Sequence, residues 1–169
     1  MTRTSIRLLL ASLLLWLLAW AGPARALCLP ALCTCTLATT NVVFGTYNPL
    51  AFGNTDTTGA VKVDCGGVAG LLIPFNIAIS AGSGGSYANR RMKSGSNSLG
   101  YNLYTDASFT TVWGDGSSAT QLVSSGVTLD ALGLAPTQNF TVYGRIPGRQ
   151  LTTVPGVYSD TINVTLTYF

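Results

Sequence analysis

The 169-residue sequence contains no histidine and no glutamate, and nine Lys+Arg against six acidic residues give a formal net charge of +3. Without histidine, neither a Ser-His-Asp nor a Cys-His device can be built, and the commonest metal ligand is missing. Paired-carboxylate hydrolysis would have to draw on aspartates that mostly occupy turn-like sequence, so no catalytic residue, metal or cofactor is assigned.

Arg3 and Arg7 precede an apolar run, Leu8–Trp20, and Ala24-Arg25-Ala26 has the pattern of a cleavage site. Residues 1–26 therefore read as a secretory signal peptide, since the run falls short of the about 20 apolar residues of a membrane-spanning helix. Cleavage after Ala26 is expected to leave residues 27–169 as one soluble domain, exported through the periplasm. Arg3, Arg7 and Arg25 depart with the leader. Six basic residues then balance six aspartates, and no electrostatic footprint for nucleic acid remains.

The exported part opens on a Cys/Pro segment, Leu27–Thr36. All four cysteines, Cys28, Cys33, Cys35 and Cys65, lie in the exported part; an even count in an oxidising compartment predicts disulfides, with three connectivities open. Val42-Val43-Phe44-Gly45 reads as a short strand and Asn54–Gly59 as a loop. Ala60–Cys65 alternates, with Val61, Val63 and Cys65 on one face, as a half-buried strand does. Phe75, Ile77 and Ile79 mark another strand, opened by Pro74 and closed by Gly82. Gly82–Ser98 reads as a Gly/Ser-rich loop carrying Arg90, Arg91 and Lys93, and it lacks the Lys-Ser/Thr of a phosphate loop. Leu99–Tyr104 is the next strand. The turn-rich stretch Asp106–Thr120 holds Trp113, the one tryptophan beyond the leader. Asp106 and Asp115 lack the spacing of a calcium loop.

Thr137–Ile146 is a long strand. Thr161–Tyr168 is the clearest, with Ile162, Val164, Leu166 and Tyr168 on one face and Thr161, Asn163, Thr165 and Thr167 on the other. Six or seven strands without an amphipathic helix between them predict an antiparallel β-sandwich. Trp113, Arg90 and Arg91 are the candidate ligand contacts, through ring stacking on a sugar or charge on an anionic polymer.

Ordered landmarks carry a resemblance. They are Cys35, Phe44-Gly45-Thr46-Tyr47-Asn48-Pro49, Val63-Asp64-Cys65, and Arg90-Arg91-Met92 leading into Leu99–Asp106. Tyr143-Gly144-Arg145-Ile146-Pro147 and Gly156-Val157-Tyr158-Ser159-Asp160 complete the series before the closing strand. Together they resemble the spore coat protein U-like domain, the subunit fold of archaic chaperone–usher pili. The resemblance implies an all-β, disulfide-bonded, incomplete immunoglobulin-like sandwich that lacks its final strand. It also implies a periplasmic pilus chaperone, an outer-membrane usher and neighbouring pilus subunits as partners, with strand addition filling the groove. Gly156 and Tyr168 occupy the places of a Gly and aromatic pair found in chaperone-bound pilins. Gly156, Ile162, Val164, Leu166, Tyr168 and Phe169 are thus the expected groove residues, and no further strand is expected after Phe169. The resemblance pairs Cys35 with Cys65 and leaves Cys28 with Cys33.

One departure bears on polymerisation. A subunit that donates a strand needs about ten residues of alternating apolar side chains before its first strand. Here Leu27–Thr34 contains Pro30, Cys28 and Cys33, and Pro removes a ladder hydrogen bond. The expected function is a structural or adhesive surface subunit that accepts a strand but donates poorly, as a terminal or minor subunit would. The alternatives are a spore or cyst coat protein of the same fold and a secreted carbohydrate-binding module.

Overall fold

The computed structural model describes Cys28 and residues 32–169. The expected leader, and most of the segment before β1 on which the donor-strand expectation rests, lie outside the described residues.

Eight strands follow in chain order: β1 (Cys33–Thr40), β2 (Thr55–Gly67), β3 (Leu72–Ile79), β4 (Arg90–Ser94), β5 (Asn97–Tyr104), β6 (Val123–Thr128), β7 (Gln138–Ile146) and β8 (Val164–Tyr168). They form a five-stranded sheet, β1-β2-β7-β5-β4, and a three-stranded sheet, β6-β3-β8, with every pairing antiparallel. This is an all-β, immunoglobulin-like sandwich. No helix of the described residues is long and apolar enough to cross a membrane.

Alternation fixes which side chains enter the core, because successive strand residues point to opposite faces. Ile73, Phe75, Ile77 and Ile79 of β3 are all buried. They share one core with Val61 and Val63 of β2, Leu99 and Leu103 of β5, and Val142 and Ile146 of β7. The Phe75 ring meets Phe140 edge-on at 5.9 Å.

Several boundaries differ from the sequence expectations. The Asn54–Gly59 loop is mostly strand, since β2 begins at Thr55 and pairs with β7 from Ile146 backwards. The Gly82–Ser98 loop contains β4, paired residue by residue with β5 from Arg90–Tyr101 to Ser94–Asn97. In both places the cross-strand ladder overrides a turn-rich composition. Conversely, Val42–Gly45 lies outside any strand.

Cys35 is joined to Cys65, its direct cross-strand partner, and Cys28 to Cys33. The first of these closes a separation of 30 residues, a stabilisation of roughly 3–4 kcal/mol on the chain-entropy account. Cys35→Ser/Cys65→Ser should lower the unfolding free energy by about that amount, measured by denaturant titration with the Cys28–Cys33 bridge intact.

Candidate functional site

Three strands cannot cover the inner face of five. The deficit appears beside β8, which pairs with β3 on one side (Phe75–Tyr168 to Ile79–Val164) and with no other described strand. On the far side of the gap runs residues 41–47, the continuation of β1. Val42 and Phe44 are half-buried while Asn41, Val43 and Gly45 are exposed, so residues 41–44 turn one face inward, and Gly45, at φ 71°, breaks the alternation before half-buried Tyr47. Among the described residues its backbone joins no ladder. Its fixings are side-chain bonds: Thr57 Oγ1 donates to the Val43 carbonyl at 3.0 Å, and the Tyr47 hydroxyl donates to the Pro147 carbonyl at 2.9 Å.

Between these two walls lies a groove of about 880 Å³. Val61, Val142, Leu103, Tyr101 and Met92 of the larger sheet form its floor, and Ile79, Ile162 and Val164 its opposite side. Protein interiors are close-packed, with few voids larger than a water molecule, and a water occupies about 30 Å³ of liquid. Among the described residues, an apolar trough of this size beside an unpaired strand edge leaves room for further side chains. Such an arrangement suits an extended chain: among the described strands the outer edge of β8 is unpaired, and the trough offers apolar space for alternate side chains.

The expected groove residues divide. Gly156, Ile162 and Val164 line the groove. Leu166 and Tyr168 lie further along the same face of β8, half-buried against the core, but outside the cavity. Phe169 is 43% exposed and its N–H donates to the Pro74 carbonyl at 3.0 Å. Gly156 sits in the connection between β7 and β8, beside Ser94 at the end of β4.

The root of β8 is held by Asp160. Its Oδ1 accepts the N–H of Ser83 at 2.8 Å and of Thr161 at 2.8 Å, and its Oδ2 accepts the Tyr101 hydroxyl at 2.7 Å. Burial alone would raise this carboxyl's pKa, but the hydrogen bonds from Tyr101, Ser83 and Thr161 outweigh it and hold it below the ordinary value. Burial, with the bond to Asp160, pushes the Tyr101 phenol up. Asp160 thus favours the folded state above its unfolded pKa of about 3.9 and loses that contribution as pH falls through its lower folded value. Asp160→Asn should flatten the acid limb of a melting-temperature profile below about pH 4. Part of the slope should persist, because Asp56, Asp106 and Asp115 are lowered too.

Two candidate ligand contacts are corrected. Trp113 and Arg90 are both fully buried, so neither presents a surface to a sugar or an anionic polymer. Trp113 Nε1 donates to the Ile77 carbonyl at 3.0 Å. Arg90 donates to the Ser80 carbonyl at 2.9 Å, to Asn102 Oδ1 at 2.6 Å and to the Trp113 carbonyl at 2.7 Å. Position on β4 explains the split: Arg90 faces inward, while Arg91 and Lys93 alternate outward and are exposed. Arg91 keeps an accessible guanidinium, bonded to Ser98 Oγ at 3.1 Å. The residues that sequence reasoning missed are the floor of the groove and Asp160, two of whose partners, Ser83 and Tyr101, lie far away in the chain.

The family described as Spore Coat Protein U domain matches residues 26–165. Among solved structures, the chain is similar to one in the crystal structure of the CsuC–CsuE chaperone–tip adhesion subunit pre-assembly complex from archaic chaperone–usher Csu pili of Acinetobacter baumannii. The TM-score is 0.53 at 22% identity, covering 80% of this chain and 40% of that one, so this chain spans less than half that chain's length. The likeness is one of fold. No curated protein matches the chain.

Proposed function

The chain belongs to the Spore Coat Protein U domain family, and from that premise we propose that it is a non-catalytic structural or adhesive subunit of a bacterial surface assembly. It is delivered by the chaperone–usher route and completed by a strand from another chain. The observation that carries this reading is the apolar groove between residues 41–47 and β8, with the outer edge of β8 unpaired among the described strands. Its partners are a periplasmic pilus chaperone, whose strand occupies the groove first, then the outer-membrane usher and a neighbouring subunit whose extension replaces that strand. The resemblance to a subunit crystallised with its chaperone supports the same reading.

Within the assembly we assign it a terminal or minor place, as an acceptor that donates poorly. Pro30 and the Cys28–Cys33 bridge interrupt the segment that would have to be donated, and Pro is confined to edges or bulges of sheets. A coat protein of the same fold would use the same groove. A carbohydrate-binding role through Trp113 loses its support with that ring enclosed.

Co-expression with the partner chaperone tests the proposal. Alone in the periplasm the chain should aggregate or be degraded; with the chaperone it should be recovered as a one-to-one complex. A stable monomer in both cases would overturn it. Long fibres formed by the purified protein alone would overturn the terminal placement.

A further inference from the structure

Two glycines on the inner face of the five-stranded sheet serve no turn. Gly59 of β2 and Gly144 of β7 both lie mid-ladder, opposite Val142 and Thr57 respectively, and neither has a positive φ. Their neighbours on that face are Val61, Val142 and Ile146, all buried. Glycine inside a strand weakens it and often marks the close approach of another backbone.

Here the approaching chain is the unpaired wall of the groove. A Cβ on Gly144 would lie 2.7 Å from Val42 Cγ1 and 2.9 Å from the tip of the Phe44 ring. One on Gly59 would lie 2.7 Å from Val42 Cγ2 and 2.9 Å from the Thr40 carbonyl oxygen. The two glycines thus form a trench in which Val42 and Phe44 are seated. Phe44 in turn packs edge-on against Tyr101, with ring centroids 5.9 Å apart, and the Tyr101 hydroxyl reaches Asp160 at the root of β8. The two walls are tied to each other across the floor by this chain of contacts.

We propose that Gly59 and Gly144 are positioning residues for strand acceptance. They set how deeply residues 41–47 lie against the larger sheet and so fix the width of the groove at that of one extended strand. The inference rests on reading the groove as a strand acceptor. Backbone freedom does not explain these glycines, and Ala at a compatible φ is ordinarily neutral or stabilising through the unfolded chain. Val42 is β-branched and stiff about χ1, so its methyls cannot swing aside for an added Cβ.

The test refolds residues 27–169 in the presence of increasing amounts of a labelled synthetic peptide of about ten residues alternating Val and Thr, long enough to span β8, and reads the peptide concentration needed to recover the soluble complex. Gly144→Ala should weaken binding by about tenfold or more, as overpacking of a fixed wall does. Adding Val42→Ala and Phe44→Leu to Gly144→Ala makes room for the methyl and should recover most of that loss. Equal affinity of wild type and Gly144→Ala overturns the inference alone. A loss that the shaved variant does not restore overturns it as well. No binding by the wild type overturns the acceptor reading, and the inference with it.

Discussion

Val164→Asp should abolish recovery of the proposed one-to-one chaperone complex, whereas Thr165→Asp should leave it at the wild-type level. The two positions are neighbours on β8 but face opposite ways: Val164 is half-buried and lines the groove, and Thr165 is exposed. A carboxylate at 164 would be enclosed against Ile79 and the apolar floor when a strand seats. No Lys or Arg among the described residues lines the groove, so the charge would be enclosed without a counter-ion, a cost of several kcal/mol. At about 1.4 kcal/mol per decade, that weakens the complex by more than about a hundredfold. Because strand side chains alternate, a shift of one residue moves the charge to water. Co-purification on a tagged chaperone measures both variants. Equal recovery of the two would remove β8 from the interface.

The second large effect concerns the core rather than the groove. Trp113→Ala should cost about 3–5 kcal/mol, the usual range for deleting a buried aromatic, out of the 5–15 kcal/mol that holds a domain together. Besides its ring, the Ile77 carbonyl would lose its indole donor. Arg90→Lys should also destabilise, by about 1–3 kcal/mol. A lysine ammonium cannot reproduce the planar fork that spans Ser80, Asn102 and Trp113. Denaturant midpoints of the strand-complemented protein give both values. An unchanged midpoint for Trp113→Ala, joined to a loss of glycan binding, would return that ring to the surface and revive the sugar-binding reading.

Much of the architecture was legible because its signals are local. The alternation of Ile162, Val164, Leu166 and Tyr168 and of Val61, Val63 and Cys65 declares both strand and buried face without reference to any partner. The segments misread, or given no element, are those whose state is decided at a distance. Thr55–Gly59 is drawn into β2 by the far end of β7, and β6 (Val123–Thr128), of sequence VSSGVT, is held by β3. Trp113 sits in a turn-rich stretch that suggested exposure, yet Leu103, Ile77 and Gln121 all bond to it or beside it. The groove was half visible. One wall carried a pattern, while its floor is assembled from β2, β4, β5 and β7, and no periodicity in a single segment encodes that convergence.

The pairing of β8 with β3 has a consequence for timing. On the proposed export route the chain emerges from its N-terminus, so Leu72–Ile79 arrives well before Val164–Tyr168, and β2 waits likewise for β7. Closing such distant pairs is slow, because the loop entropy is lost before the contacts form. During that interval β3 presents its apolar face, Ile73, Phe75, Ile77 and Ile79, to water. The hazard is therefore greatest while translocation is still under way, and a chaperone that first met the finished fold would arrive too late to limit it.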